Sequence, residues 1–216
     1  MKTLAYTFAA AAACSTVLGA YPHAARFEGS PEGFDAGTGY TLASYFETSY
    51  GAGFMSVERN DSVLPYTEIG LKTTTNPAFL GNYIQSRVTG AHFIIYTGAQ
   101  SLATVQLHLK STTQHPGAWR YDFGSLNPSG AWQRCEVAFN PNWSDQVAIA
   151  NGWSRTSAGV PSFSSVMSNV DHFLIYIPFG SESTLYIDDV VMQAQPTCPG
   201  DANHDNFVDF EDLNIL

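Results

Sequence analysis

The sequence predicts an all-β protein built as a β-sandwich. Short apolar stretches recur along the chain between turns rich in Gly, Pro, Asn and Ser. Several of them alternate with period two, as half-buried strands do. The composition agrees: 44% hydrophobic and 13% aromatic residues, mainly Phe and Tyr, against only 13% charged, which suits strands better than a helical bundle.

The elements follow in order. Arg26-Phe27-Glu28 is a short strand before a Gly- and Pro-rich stretch, 29–39. Tyr40–Tyr50 is rich in aromatics and Thr, and Phe54–Arg59 is short and mixed. Gly90–Thr97 carries the run Phe93-Ile94-Ile95-Tyr96. In Thr104–Lys110 the side chains of Val105, Leu107 and Leu109 face one way, and Gln106 and His108 the other. Trp119–Phe123 alternates again. Trp132–Phe139 sets Trp132, Arg134, Glu136 and Ala138 against Gln133, Cys135, Val137 and Phe139. His172–Pro178 is apolar throughout, and Leu185–Met192 ends the domain. One segment, Ser162–Asn169, has helical spacing, with Phe163, Val166 and Val170 in phase. Strands do not alternate with helices and no nucleotide-binding glycine fingerprint occurs, which argues against a doubly wound fold.

The ends differ from the middle. Met1-Lys2, an alanine-rich apolar run to Cys14 and small residues up to Ala20 form an export signal, residues 1–20. A lipoprotein-type cut at Cys14 is the alternative, with Ala11 where Leu is usual. The apolar run is short and no second one follows, so no integral membrane span is expected after cleavage. The β-sandwich domain then covers 21–192, a polar linker 193–198, and a separate tail 199–216. Cys135 and Cys198 are left as a candidate pair, and nothing in the sequence places them within reach of each other. The net charge of −10 repels a phosphate backbone, so nucleic acid is not an expected partner.

The tail places oxygen donors at regular steps: Asp201, Asn203, Asp205, Asp209 and Asp212, with the backbone carbonyl of Phe207 between them. Calcium takes ~6–8 oxygens at ~2.3–2.6 Å, and a loop of alternate inward-pointing donors supplies them. Val208 stands where calcium loops place a β-branched residue. Asp212 opens a helix ending at Leu216. Asn206 occupies the tight turn in place of Gly, and Asp212 the last ligand position in place of Glu.

Gly200-Asp201-Ala202-Asn203-His204-Asp205, with Val208-Asp209 and Asp212-Leu213, resembles the first half of a dockerin repeat. The resemblance covers 199–216 and implies an EF-hand-type calcium loop that docks to a cohesin-like protein and attaches a secreted glycan-active chain to an assembly. A second resemblance covers 24–192. Phe27-Glu28-Gly29 and Leu185-Tyr186-Ile187-Asp188-Asp189-Val190 look like the edges of jelly-roll carbohydrate-binding modules, and 76–82 with Trp132, Trp153 and 163–177 is similar to laminin-B-type domains. Both imply a sandwich with a binding role. The jelly-roll resemblance also implies a structural calcium between first and last strands, on Glu28 and Asp188.

No catalytic residue is assigned. The chain lacks a Gly-x-Ser-x-Gly elbow, a His-Glu-x-x-His helix and a P-loop. Glu47, Glu58, Glu68 and Glu136 could serve glycoside hydrolysis only if two of them converged. Trp119, Tyr121, Trp143 and Trp153 could stack on sugar rings, or fill the core as large aromatics usually do. The reading is a secreted or cell-surface, non-catalytic module for polysaccharide or another extracellular surface, with calcium as its cofactor. The alternatives are a small β-sandwich glycan hydrolase or lyase, and a structural or adhesive envelope protein.

Overall fold

Alternation sorts each strand into an inward and an outward set of side chains, and two sheets close on the inward ones. The computed structural model describes residues 23–28, 30–35, 40–47, 52–59, 68–96, 102–127, 130–178 and 184–195. Its strands belong to one unit, Tyr21–Ala194. Among the described residues the first sheet runs β3 (Tyr40–Glu47), β4 (Ala52–Arg59), β12 (Thr184–Ala194), β6 (Val88–Tyr96), β9 (Trp132–Ala138), with β1 (His23–Ala25) also on β12. The second runs β10 (Trp153–Arg155), β8 (Ala118–Leu126), β7 (Leu102–Lys110), β11 (His172–Pro178), β5 (Glu68–Thr73), β2 (Phe34–Asp35). All the pairings are antiparallel. This is the jelly-roll β-sandwich that the sequence predicts.

Between the sheets, Met55, Phe93, Ile95, Val137, Ile187 and Met192 face Leu71, Val105, Leu107, Leu109, Phe173 and Ile175, all buried. Burial of such side chains stabilises by about 1.5–3 kcal/mol each. Phe93 and Phe123 meet edge to face at 5.3 Å, joining β6 to β8.

Five elements were not foreseen: β1, β2, β5, β10 and the helix α1 (Asp145–Ala150); the strand expected at Arg26-Phe27-Glu28 lies instead at His23–Ala25, because Phe27 takes φ 52° and breaks the extended run. The foreseen helix is present as α2 (Phe163–Met167), with Phe163 and Val166 buried. Ser144 and Ser162 cap the two helices by accepting the N–H groups of Val147 and Ser165. Asp145 then ties this corner together. Its carboxylate accepts the Phe163 N–H at 2.7 Å and pairs with Arg155, whose guanidinium lies 5.0 Å from the Trp119 ring centroid. The last strand also runs longer than expected, through Gln193 and Ala194, which the sequence reading gives to the linker.

Candidate functional site: the two outer faces

The second sheet turns a polar face outward. Opposite Val105, Leu107 and Leu109, strand β7 directs Gln106, His108 and Lys110 away from the core; Gln106 and His108 are themselves buried, at 5% and 7% exposure, and Lys110 is half-buried. Pairing aligns these into rows across the sheet. One row runs Lys72, Leu174, His108, Arg120, Ser154, and the next runs Gly70, Tyr176, Gln106, Asp122. Gly70 is required by close approach: a Cβ there would lie 2.8 Å from the Ile175 carbonyl oxygen.

Hydrogen bonds lock the centre of this face. The His108 ring stacks on Tyr176, centroids 4.7 Å apart and planes 24° from parallel. His108 Nε2 lies 2.8 Å from Gln106 Oε1, and Gln106 Nε2 donates to Asp122 Oδ2 at 3.2 Å. Asp122 Oδ1 accepts the Gly124 N–H at 2.7 Å. The Gln106 orientation makes Nε2–H the donor of a neutral His108. Burial, helped by the charges of Lys110 and Arg120, pushes the His108 imidazole down to about 3. His108 is therefore an uncharged, fixed hydrogen-bonding group near neutral pH.

The first sheet carries a different outer face. Phe54, Tyr186, Tyr96 and Trp132 come from four neighbouring strands, and each lies next in sequence to an inward-facing residue. Their rings close on one another: Trp132–Tyr96 at 5.7 Å, Tyr96–Tyr186 at 6.0 Å, Tyr186–Phe54 at 5.3 Å and Phe54–Trp132 at 6.0 Å. Further along the same sheet, polar and charged groups pair off. Arg134 pairs with Glu136 at 2.9 Å, Arg26 with Asp189 at 4.0 Å and His92 with Asp189 at 3.4 Å. Gln193 donates to Glu136 at 3.0 Å.

The acids expected to hold calcium in the domain lie near this network. The antiparallel register, with Ala25 opposite Val190, carries the chain after β1 alongside Asp189 and Asp188 of β12. Asp188 is buried and Glu28 exposed. A register shift follows Asp188, and Asp189 adopts φ 48°, a left-handed conformation that Asp tolerates. Burial pushes the Asp188 carboxyl up to about 6. Asp189 and Glu28 add to this by like charge, while the Asp189 N–H and Arg26 oppose it. Asp188 and Glu28 thus sense each other, yet among the described residues no cluster of three or more His, Cys, Asp or Glu side chains is arranged to hold a metal. The tail ligands Asp201, Asn203, Asp205, Phe207, Asp209 and Asp212 lie outside the described residues.

Other candidates disperse. Trp119 and Trp153 are fully buried, and Tyr121 and Trp143 pack against the core, so none of the four offers a free platform. Among the described side chains, the aromatics on outer faces include Tyr176 and the first-sheet four. Glu47, Glu58 and Glu136 belong to strands of the first sheet and Glu68 to the second. The hydrogen bond from Arg134 pulls Glu136 down to about 2, which does not suit a general acid. Cys135 is a buried thiol that burial pushes up to about 12; its suggested partner Cys198 lies outside the described residues. Among the described residues no helix is long and apolar enough to cross a membrane.

No known family's sequence pattern matches the chain, and no curated protein matches it. Solved structures do share its fold. The chain is similar to the family 11 carbohydrate-binding module of a cellulosomal cellulase of Clostridium thermocellum: 12% identity, 82% of this chain and 96% of that one, TM-score 0.50. It is similar to a xylan-binding domain of carbohydrate-binding module family 22 at 14% identity, over 83% of this chain and 98% of that one, TM-score 0.51. It also matches part of an exo-β-agarase at 12% identity, over 82% of this chain and 25% of that one, TM-score 0.54. These likenesses establish a common jelly-roll fold.

Proposed function

We propose that the protein is a secreted, non-catalytic carbohydrate-binding module whose polysaccharide lies across the outer face of the second sheet. The observation that carries this reading is the Tyr176–His108–Gln106–Asp122 array. A sugar ring needs an aromatic surface and polar groups held still beside it. Here Tyr176 is held by its stack on His108, and the polar groups are oriented before any ligand arrives, which lowers the ordering cost of binding. The first-sheet aromatics are less suited, because their rings pack against one another, three of the four contacts edge to face and the Phe54–Trp132 contact tilted. The fold shared with two carbohydrate-binding modules supports the same reading.

The test is retention in native gels that contain soluble polysaccharides, run on the wild type, Tyr176→Ala and Trp132→Ala. Binding lost in Tyr176→Ala and kept in Trp132→Ala supports the assignment. The reverse pattern moves the site to the first sheet.

Calcium is part of the proposal. The tail would form a dockerin-like loop that attaches the module to a cohesin-like partner at the cell surface or outside the cell. Glu28 and Asp188 fit a structural calcium in the domain, because a buried carboxylate beside like charges is relieved by a hard cation. Backbone carbonyls and water would supply its remaining oxygens. Calcium at a hundredfold excess over Kd stabilises its bound state by ~2.7 kcal/mol. Thermal unfolding with and without calcium separates the sites. A shift kept in Asp201→Ala/Asp205→Ala and lost in Asp188→Asn places calcium in the domain. A calorimetric heat lost in the tail double variant places it in the tail.

A further inference from the structure

We propose that the polysaccharide taken by the second sheet carries an anionic substituent, a carboxylate or a sulfate ester, seated over Lys110 and Arg120. This rests on the reading of that face as the sugar site. The unit Tyr21–Ala194 holds eight basic residues, and three of them, Lys72, Lys110 and Arg120, stand on this one outer face.

What distinguishes Lys110 and Arg120 is that, among the described residues, neither has an acidic partner. On the first sheet Arg26, His92 and Arg134 each sit against a carboxylate. On the second, Lys72 is 3.5 Å from Asp35 at the sheet edge. Arg120 uses Nε to donate to Ser154 Oγ at 3.1 Å, and among the described residues neither it nor Lys110 forms an ion pair. Asp122, the nearest acid along β8, directs one oxygen to Gln106 and the other to the Gly124 N–H.

The two cations also flank the proposed sugar site. Arg120 lies directly across from His108, and Lys110 lies two residues beyond His108 on the same face of β7. Both lie close enough to His108 to add to the burial that disfavours its charged form, although the chain as a whole carries −10. A half-buried guanidinium with free N–H groups beside an ammonium is a seat for an oxyanion, which Arg can engage through two bonds at once. A neutral glucan would leave both charges partly desolvated with nothing gained.

The test uses four probes at low salt: mixed-linkage β-glucan and agarose as neutral chains, alginate as a carboxylate chain and ι-carrageenan as a sulfated one. The expected result is binding to an anionic probe at least about tenfold tighter than to either neutral chain, weakening as NaCl rises from 20 to 300 mM, roughly a fourfold fall in Debye length. Lys110→Gln and Arg120→Gln should each lose about fivefold or more with unchanged thermal stability. Arg134→Gln makes the same charge change on the other face and should move affinity less than twofold. Alginate against carrageenan then identifies the substituent. Neutral chains bound as tightly as anionic ones, with no effect of Lys110→Gln or Arg120→Gln, overturn the inference and leave the sugar site standing. Binding to none of the four overturns both.

Discussion

The two outer faces of this sandwich share the same strand geometry and use their side chains in opposite ways. On the first sheet, aromatic rings pack on each other and cations sit on carboxylates, so the groups satisfy one another within the protein. On the second, Tyr176 stacks on His108, a short polar relay fixes three side chains, and among the described residues Lys110 and Arg120 form no ion pair. Internally satisfied groups contribute to stability, while fixed groups with remaining capacity contribute to recognition. The contrast explains why the aromatic-rich face is not the proposed site: ring count matters less than whether fixed polar groups stand beside a ring.

Mutation can break this comparison, and the largest effect should fall on binding. Tyr176→Ala should weaken polysaccharide binding by about tenfold to a hundredfold, or roughly 1.4–2.8 kcal/mol, while Trp132→Ala leaves it within twofold. Denaturant unfolding should show the mirror image, with Trp132→Ala losing about 1–2 kcal/mol from its aromatic contacts. Loss of binding in both variants through unfolding would erase the distinction between the faces.

A second experiment uses acid. The His108 imidazole is pushed down to about 3 in the fold and returns to about 6.5 when unfolded. Between those values the unfolded chain binds the extra proton, so this group lowers stability as pH falls from about 6.5 toward 3. Its contribution is at most on the order of 5 kcal/mol. His108→Gln should flatten that part of the pH profile measured by chemical unfolding; an unchanged slope would show that His108 is not held neutral.

Relay and surface pairs come next. Gln106→Leu strands the groups on either side of it and should cost about 1–3 kcal/mol in unfolding free energy. Arg134→Gln breaks an exposed pair and should cost under about 1 kcal/mol. If the Arg134 change proved the larger, the first sheet would hold the more consequential polar network.

How much of this was legible in the sequence varies by strand. The inward and outward sets of Thr104–Lys110 were plain, because Val105, Leu107 and Leu109 alternate with polar residues. Tyr176 was hidden, because its outward neighbours in His172–Pro178 include Leu174 and the whole segment reads as apolar. Strand β5 escaped notice because Gly70 interrupts a run of six residues, and only the fold shows that a side chain has no room there. For Trp119 and Trp153 the sequence left open a sugar platform or the core, and both fill the core. The rows that bring Arg120, His108 and Tyr176 together depend on the register of β8, β7 and β11, strands distant in sequence. Periodicity tells which way a side chain points but not what stands beside it.

The central claim is that ligand lies on the second sheet. Hydrogen exchange followed by mass spectrometry, with and without the polysaccharide selected by the four-probe panel, tests it most directly. The account predicts new protection in peptides covering 102–110, 118–126 and 172–178, with peptides covering 88–96 and 132–138 unchanged. Protection confined to the latter two would contradict it and assign recognition to the aromatic face of the first sheet.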